Sequence, residues 1–524
     1  MMYYAVPSLL LVSYVFSRII KYYSGRRAVG YLRGYAPALS SGSVLGMQLP
    51  TNIEAPYIWN PGLGISWDGR HGSLYKDSDM YSLVPWISGP PQVFVASFET
   101  MEQVSAHGFG FDKRVFNPGE TMFGENIATT QKDSWKKHRR VFTPGFSNKT
   151  YAHLWESTIE IFKDMMATEG WDRKKEVFIP IVNRVTTKFA MSTLCSCAFG
   201  FPHPWSKPPM VGNGEMSLLE CIIILKRTLA YHILVPRWAY YLPIPFLGMI
   251  ENAYKLMTEY LQSLIAIRRQ QLKDAKSGDE APADVFSAIV QAHEGDEKSR
   301  MTEKQILSDA FVLLFAGHAT TAHTICSTIG LLAYYQDEQD KAYDEITSVL
   351  AGGRLPVFDD LESFMHLHYC FMEANRLFPV FPVVLREAVE DTRLTTPSRT
   401  PGKPDEEIYV RKGTEIAIDY AAIYYNPRYY PDPEAFKPSR FDPAVTPTPV
   451  QFIGMGVGPR ACMGRKFAFT EAVCFLVMLL RDWKIDVALE RGETREEWKK
   501  RALTASVNGM LTMAPLPVRL IRRE

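Results

Sequence analysis

Apolar residues recur at three- and four-residue spacing through most of the chain, and short alternating runs interrupt them. The helical period predicts helices over Thr150–Thr168, Glu176–Phe199, Met216–Tyr231, Met249–Asp274, Thr302–Tyr335, Asp337–Leu350, Leu361–Phe378 and Arg465–Asp482. Strand-like runs fall at Gln92–Ala96, Glu407–Val410 and Glu415–Ile418. The stretch from Thr302 is apolar almost all round, which places it in the interior. No regular strand–helix alternation is present, so the expectation is a mainly α fold with small β-sheets rather than a doubly wound sheet.

The N-terminus breaks this pattern. Met1 to Ser17 carries no charge and includes Leu9-Leu-Leu-Val12 and Val15-Phe16. Arg18, Lys21, Arg26, Arg27 and Arg33 come next, and no acid precedes Glu54. A membrane span needs about 20 mostly apolar residues, with a lower bound near 17. The one-sided basic flank predicts that the large domain beyond it lies on the cytosolic side. A cleaved signal peptide would want charge before the apolar run, and there is none. A buried N-terminal helix is the other reading. Residues 21–65 are rich in Gly, Ser, Pro and Tyr and read as a linker. The expected organisation is an anchor over 1–20, a linker over 21–65 and one large domain over 66–524.

Composition narrows the function. The chain has 524 residues, 46% hydrophobic and 22% charged, enough for a large packed core. A net charge of +1 argues against a dedicated nucleic-acid partner. Seven cysteines, an odd number without framework spacing, predict reduced thiols.

One cysteine stands in an unusual setting. Cys462 closes the run Met455-Gly-Val-Gly-Pro-Arg-Ala-Cys-Met-Gly464, directly before a predicted helix. The glycines allow a tight turn and close approach of a flat ligand. Backbone N–H groups and the helix N-terminus predict a lowered thiol pKa and an axial metal bond. Arg460 is placed to pair with a carboxylate. A phosphate cradle lacks its βαβ unit and Walker lysine. A buried small hydrophobe or a catalytic nucleophile stays open.

The loop resembles the cysteine signature of the cytochrome P-450 family, F-x-x-G-x-R-x-C-x-G. Gly458, Arg460, Cys462 and Gly464 match, and Met455 stands where the family has Phe. Glu373-Ala-Asn-Arg376 is similar to the family's E-x-x-R motif, and Arg440 in Pro438-Ser-Arg-Phe441 to its third partner. Tyr424 stands at a position where the family has His. Ala316-Gly-His-Ala-Thr-Thr321 resembles [AG]-G-x-[DE]-T-[TS], with Ala316, Gly317, Thr320 and Thr321 matching and Ala319 replacing the acid. Trp135-Lys-Lys-His-Arg139 resembles W-x-x-x-R. The motifs occur in the family's order over roughly 75–519.

The resemblance implies a cytochrome P-450 fold, with haem b between the long central helix and the cysteine loop. Cys462 would be the iron ligand. Trp135, Arg139, Arg386 and Arg460 would hold the propionates, with Gly317, Gly458 and Gly464 against the haem. Glu373, Arg376 and Arg440 would form a structural triad. Thr320 and Thr321 would be catalytic, with Ala316, Ala319, Val380, Phe381, Val383 and Asn508 lining the substrate pocket. Each pocket position is equally explicable as core packing. His323, one turn beyond Ala319, is a candidate substitute for the missing acid. The implied activity is a monooxygenase using O2 and electrons from a separate NADPH-cytochrome reductase. That reductase would dock on Lys132, Lys136, Lys137, Arg139, Arg140, Arg465 and Lys466. The implied setting is single-pass in the endoplasmic reticulum membrane. The expected substrate is an apolar small molecule, a secondary metabolite of terpenoid type. A haem-thiolate isomerase, dehydratase or peroxygenase stays open, as does a haem sensor capped by His318 or His323.

Overall fold

A computed structural model describes residues 2–43, 45–46, 49, 51, 58–71, 74–75, 77–106, 110–114, 121–275, 284–296, 298–400, 402–446 and 450–524. Helices dominate, and a long one runs through the middle. This central helix, Glu303–Tyr334, starts at a capping box in which Thr302 and Gln305 satisfy each other's backbone N–H groups. From Thr321 to Ala333 every residue is buried, as its all-round apolar character predicts.

The main sheet has six strands: β1 Gly34–Tyr35, β2 Met80–Leu83, β3 Gln92–Val95, β4 Phe111–Lys113, β5 Val383–Ala388 and β6 Glu415–Asp419. Their spatial order is β1-β2-β3-β6-β5-β4. β3 and β6 run parallel, with Ile416 beside Val93. β6 and β5 run antiparallel, with Ile416 beside Arg386. Arg386 of β5 is close enough to Arg460 of the cysteine loop to act on it electrostatically.

Most predicted helices are present with small boundary shifts, and Arg465–Asp482 matches at both ends. Two differ. Glu176–Phe199 divides into a strand, Glu176–Ile179, and a helix, Val182–Cys197. The strand alternates exposed and buried residues, and Pro180 separates it from the helix. Leu361–Phe378 divides at Phe364 into a 3-10 turn, Phe358–Ser363, and the helix Met365–Leu377. The first helix, Met2–Ala28, runs into the stretch expected to be a linker. Beyond it, Gly34–Tyr35 pairs with β2, and Leu32, Ala38 and Leu39 are buried. Pairing over two residues leaves no periodicity in sequence, so the residues around β1 carry the composition of a linker.

Glu373 and Arg376, on the helix Met365–Leu377, are fully buried. Arg376 donates five hydrogen bonds: two to the Glu373 carboxylate at 2.7 and 2.9 Å, and one each to the carbonyls of Tyr424, Pro433 and Ala435. Arg440 donates to Glu373 Oε1 at 3.0 Å and to the carbonyls of Pro431 and Asp432. The Lys437 N–H adds a further bond to the same carboxylate oxygen at 3.0 Å. Every donor of Arg376 is matched, which is what a buried guanidinium requires.

Removing the carboxylate strands two buried guanidiniums. Glu373→Gln is expected to cost about 3–5 kcal/mol, read as a lower urea midpoint; a midpoint equal to wild type would contradict this reading of the network.

Candidate active site

The cysteine loop is closed by its own backbone. The Cys462 N–H donates to the Met455 carbonyl at 2.8 Å, and the Ala461 N–H to Gly458 at 3.0 Å. Gly458 has φ +70, and a Cβ there would lie 2.5 Å from the Ser105 carbonyl, so only glycine fits. That crowding is with protein backbone. A Cβ on Gly464, by contrast, would have only Cys462 Sγ near it, at 3.9 Å. Met455 is half-buried and packs on the main core, taking up the space of the expected Phe.

Six of the seven cysteines are buried, and Cys462 is accessible. Burial of its surroundings pushes the Cys462 thiol above its usual range. The Gly464 N–H and the charges of Arg465 and Arg139 oppose that shift without overcoming it. The lowered pKa expected from the loop is therefore corrected: the loop's dipoles favour the thiolate, but desolvation outweighs them. A bound metal deprotonates such a thiol outright.

Beside the loop lies a group of cations. The Arg460 guanidinium sits 4.1 Å from the centre of the Trp135 ring, and that of Arg139 sits 5.6 Å from it. Arg139 also donates to the Ala461 carbonyl at 3.4 Å. Arg386 is buried on β5 and donates to the Leu385 carbonyl at 3.0 Å. Burial lowers the pKa of both Arg386 and Arg460. Arg460 Nη2 pairs with Asp112 at 2.5 Å, while its buried Nη1 has no hydrogen-bond partner among the described residues. Charged donors around one accessible thiol fit a flat metal-bearing ligand with carboxylate arms. Asp112 is invisible to sequence reasoning because β4 is three residues long and carries no period.

The central helix has an accessible patch where its two flanks are buried. Ala316 is exposed, and Ala319 and Thr320 are partly so. Thr320 donates its hydroxyl to the Ala316 carbonyl at 3.0 Å. Thr321, expected beside it, is buried at 3% exposure and lies off the open face. Gly317 has a packing role. A Cβ there would lie 2.6 Å from Leu194 Cδ1, so the bare Cα lets the helix Val182–Cys197 pack closely.

Neither histidine suits a relay or an axial bond. His318 Nδ1 bonds the Leu314 carbonyl at 2.8 Å, and His323 Nε2 bonds the Phe378 carbonyl at 3.0 Å. Burial pushes both imidazoles down to about 4. Each ring is neutral near neutral pH and committed to a carbonyl.

Asn375 connects the two sides. Its Nδ2 donates to Thr324 at 3.4 Å, one turn beyond Thr320, and its Oδ1 presses on Gly454 at the start of the cysteine loop. Asn375 thus ties the central helix to the residue before the cysteine loop. Phe381, just before β5, is 47% exposed, Val383 is half-buried, and Val380 is buried. The Leu511 N–H donates to the Val380 carbonyl at 2.9 Å. That bond places the hairpin Ala505–Met513, with exposed Asn508 near its tip, against this edge.

Comparison with known proteins accords with this arrangement. The Cytochrome P-450 family model matches residues 54–513. Cytochrome P-450 monooxygenase 124 of Postia placenta is 32% identical over 476 residues, covering 89% of each chain. A cytochrome P-450 monooxygenase of Arthrobotrys oligospora is 24% identical, covering 84% of this chain and 82% of that protein. A crystal structure of a cytochrome P-450 shares the fold at a TM-score of 0.70 and 20% identity, covering 91% of this chain and 100% of that one. The chain thus belongs to the cytochrome P-450 family, haem monooxygenases whose haem b iron is held by a cysteine thiolate.

Proposed function

We propose that this protein is a membrane-anchored monooxygenase in which Cys462 holds the haem iron and an apolar small molecule is oxidised above it. The observation that carries the assignment is the accessible Cys462 thiol in a loop flanked by the Trp135, Arg139, Arg386 and Arg460 group. When bound, haem supplies the activation of O2 and the insertion of oxygen into a C–H bond.

The chain's own residues do the rest. The Gly464 N–H and the charges of Arg465 and Arg139 favour the Cys462 thiolate. Trp135, Arg139, Arg386 and Arg460 hold the propionates. Small Ala316 and Ala319 leave room for substrate against Phe381, Val380 and Val383, with Asn508 at the edge. Thr320 donates its proton to the Ala316 carbonyl, so its oxygen accepts from a water. No carboxylate stands behind it at Ala319, and protons reach that water through solvent.

Exposed apolar surface supports the membrane. On the first helix Leu9, Leu10, Leu11, Val12 and Phe16 are between 63% and 71% exposed. Arg18 and Lys21 donate to the Ile87 carbonyl at 2.8 and 3.0 Å, fixing the helix base to the domain. Trp238, Tyr241, Ile244 and Phe246 expose a second apolar surface, suited to lipid and to the passage of an apolar substrate. Among the described residues, the helix that fits a membrane span by length and hydropathy is the central one, and its core position explains its composition. The location is then the endoplasmic reticulum membrane, with the catalytic domain cytosolic. Lys132, Lys136, Arg140, Arg465 and Lys466 are exposed, a basic face for the acidic side of an NADPH reductase. The substrate is a secondary metabolite of terpenoid type. His318 and His323, both committed, give no support to a capped sensor.

The reduced, CO-treated protein is expected to show a thiolate-type Soret band that Cys462→Ala abolishes. A variant that keeps both band and turnover would overturn the assignment. The two buried histidines set an acid limit. The unfolded chain binds their protons near pH 6.5, the folded one near 4. Their contribution to stability is therefore full above 6.5 and is lost as pH falls toward 4. His323→Gln is expected to flatten the fall of Tm across that window, and an unchanged slope would contradict the reading.

A further inference from the structure

We propose that Asp112 is a positioning residue of the haem site, which shares Arg460 with a haem propionate and thereby lowers the haem reduction potential. The inference rests on the haem-thiolate reading above and assigns a role to a residue outside the signature motifs.

Asp112 joins three elements. It lies in β4, where Lys113 pairs with Arg386 of β5. Its Oδ1 accepts from Arg460 Nη2 at 2.5 Å and from the Lys113 N–H at 2.7 Å. Its Oδ2 accepts from the Lys132 N–H at 3.2 Å. Lys132 opens the helix Lys132–Phe142, which carries Trp135 and Arg139. The preceding Gln131 makes no side-chain cap. It donates instead to the Lys113 carbonyl. Asp112 therefore caps that helix from another strand, where the dipole favours a carboxylate. Lys132 makes the contact at a φ of +48, which a non-glycine residue rarely adopts.

Charge explains why an acid belongs among these cations. Arg139, Arg386 and Arg460 bring three positive charges to one partly buried site. Asp112 returns one negative charge, and the two haem propionates return the other two. With Asp112 the set is neutral; without it, one buried guanidinium stays uncompensated. The Arg460 geometry fits sharing, because Nη2 is occupied by Asp112 while Nη1 has no partner among the described residues. Reduction adds an electron to the haem. A fixed carboxylate beside the propionates opposes that electron and holds part of Arg460 away from the propionate, so both effects act in one direction.

The test is a reductive titration of the full-length haem-loaded protein, wild type against Asp112→Asn and Asp112→Glu. Asparagine keeps one acceptor oxygen and removes the charge, so a merely structural role would shift Tm and leave the midpoint potential unmoved. The expected result is a higher midpoint in Asp112→Asn and a return toward wild type in Asp112→Glu, with a lower Tm in Asp112→Asn because one of the donors on Asp112 loses its acceptor. Haem transfer to apomyoglobin is a second readout. It is expected to slow about 10-fold in Asp112→Asn, as Arg460 gains a further charge-assisted bond to the propionate. An unmoved midpoint, or haem lost faster from Asp112→Asn, would overturn the proposal. Failure of the haem-thiolate reading itself would appear separately, as a wild-type protein without the thiolate Soret band.

Discussion

The buried carboxylate of Glu373 is the contact on which the rest of the site hangs. It accepts from two guanidiniums and a backbone N–H, and those guanidiniums reach on to the carbonyls of Tyr424, Pro431, Asp432, Pro433 and Ala435. A segment with little regular structure is thereby fixed to a helix by bonds in which every guanidinium proton of Arg376 is used. Desolvated charges of this kind are costly when broken and add little when intact. Their value is positional. The segment they hold leads into the cysteine loop, and the same helix carries Asn375, which presses on Gly454 at the loop's start.

A second constraint is electrostatic. Burial around Cys462 favours the neutral thiol, while the Gly464 N–H and two arginine charges favour the thiolate. A metal bound on the open side would favour the thiolate. Across from it, the central helix presents an alanine where the family has an acid, and the nearby imidazoles are neutral and bonded to carbonyls. Three arginines, Arg139, Arg460 and Arg465, stand near the cysteine loop, while the charge acting on the two imidazoles of the central helix comes from Lys226.

Much of this was legible in sequence because it rests on local rules. Helix periodicity marked the central helix and Arg465–Asp482, and the glycine spacing around Cys462 marked a loop that only a few residue types can form. What was missed depends on which way a residue faces. Gly317 belongs to a motif, yet its bare face meets Leu194; Thr321 is one residue from Thr320, yet that step around the helix buries it. His323 stood in register with Ala319, and nothing local announced the Phe378 carbonyl, 55 residues away, that binds it. Asp112 and the strand Glu176–Ile179 were hidden for another reason: elements of three or four residues are too short to show a period.

The most direct test of the central claim is X-ray absorption at the iron edge of the purified protein. A sulfur scatterer bonded directly to the iron, lost when Cys462 is replaced by serine, is the predicted result. Coordination by nitrogen and oxygen alone in the wild-type protein, or a sulfur that survives the replacement, would contradict it.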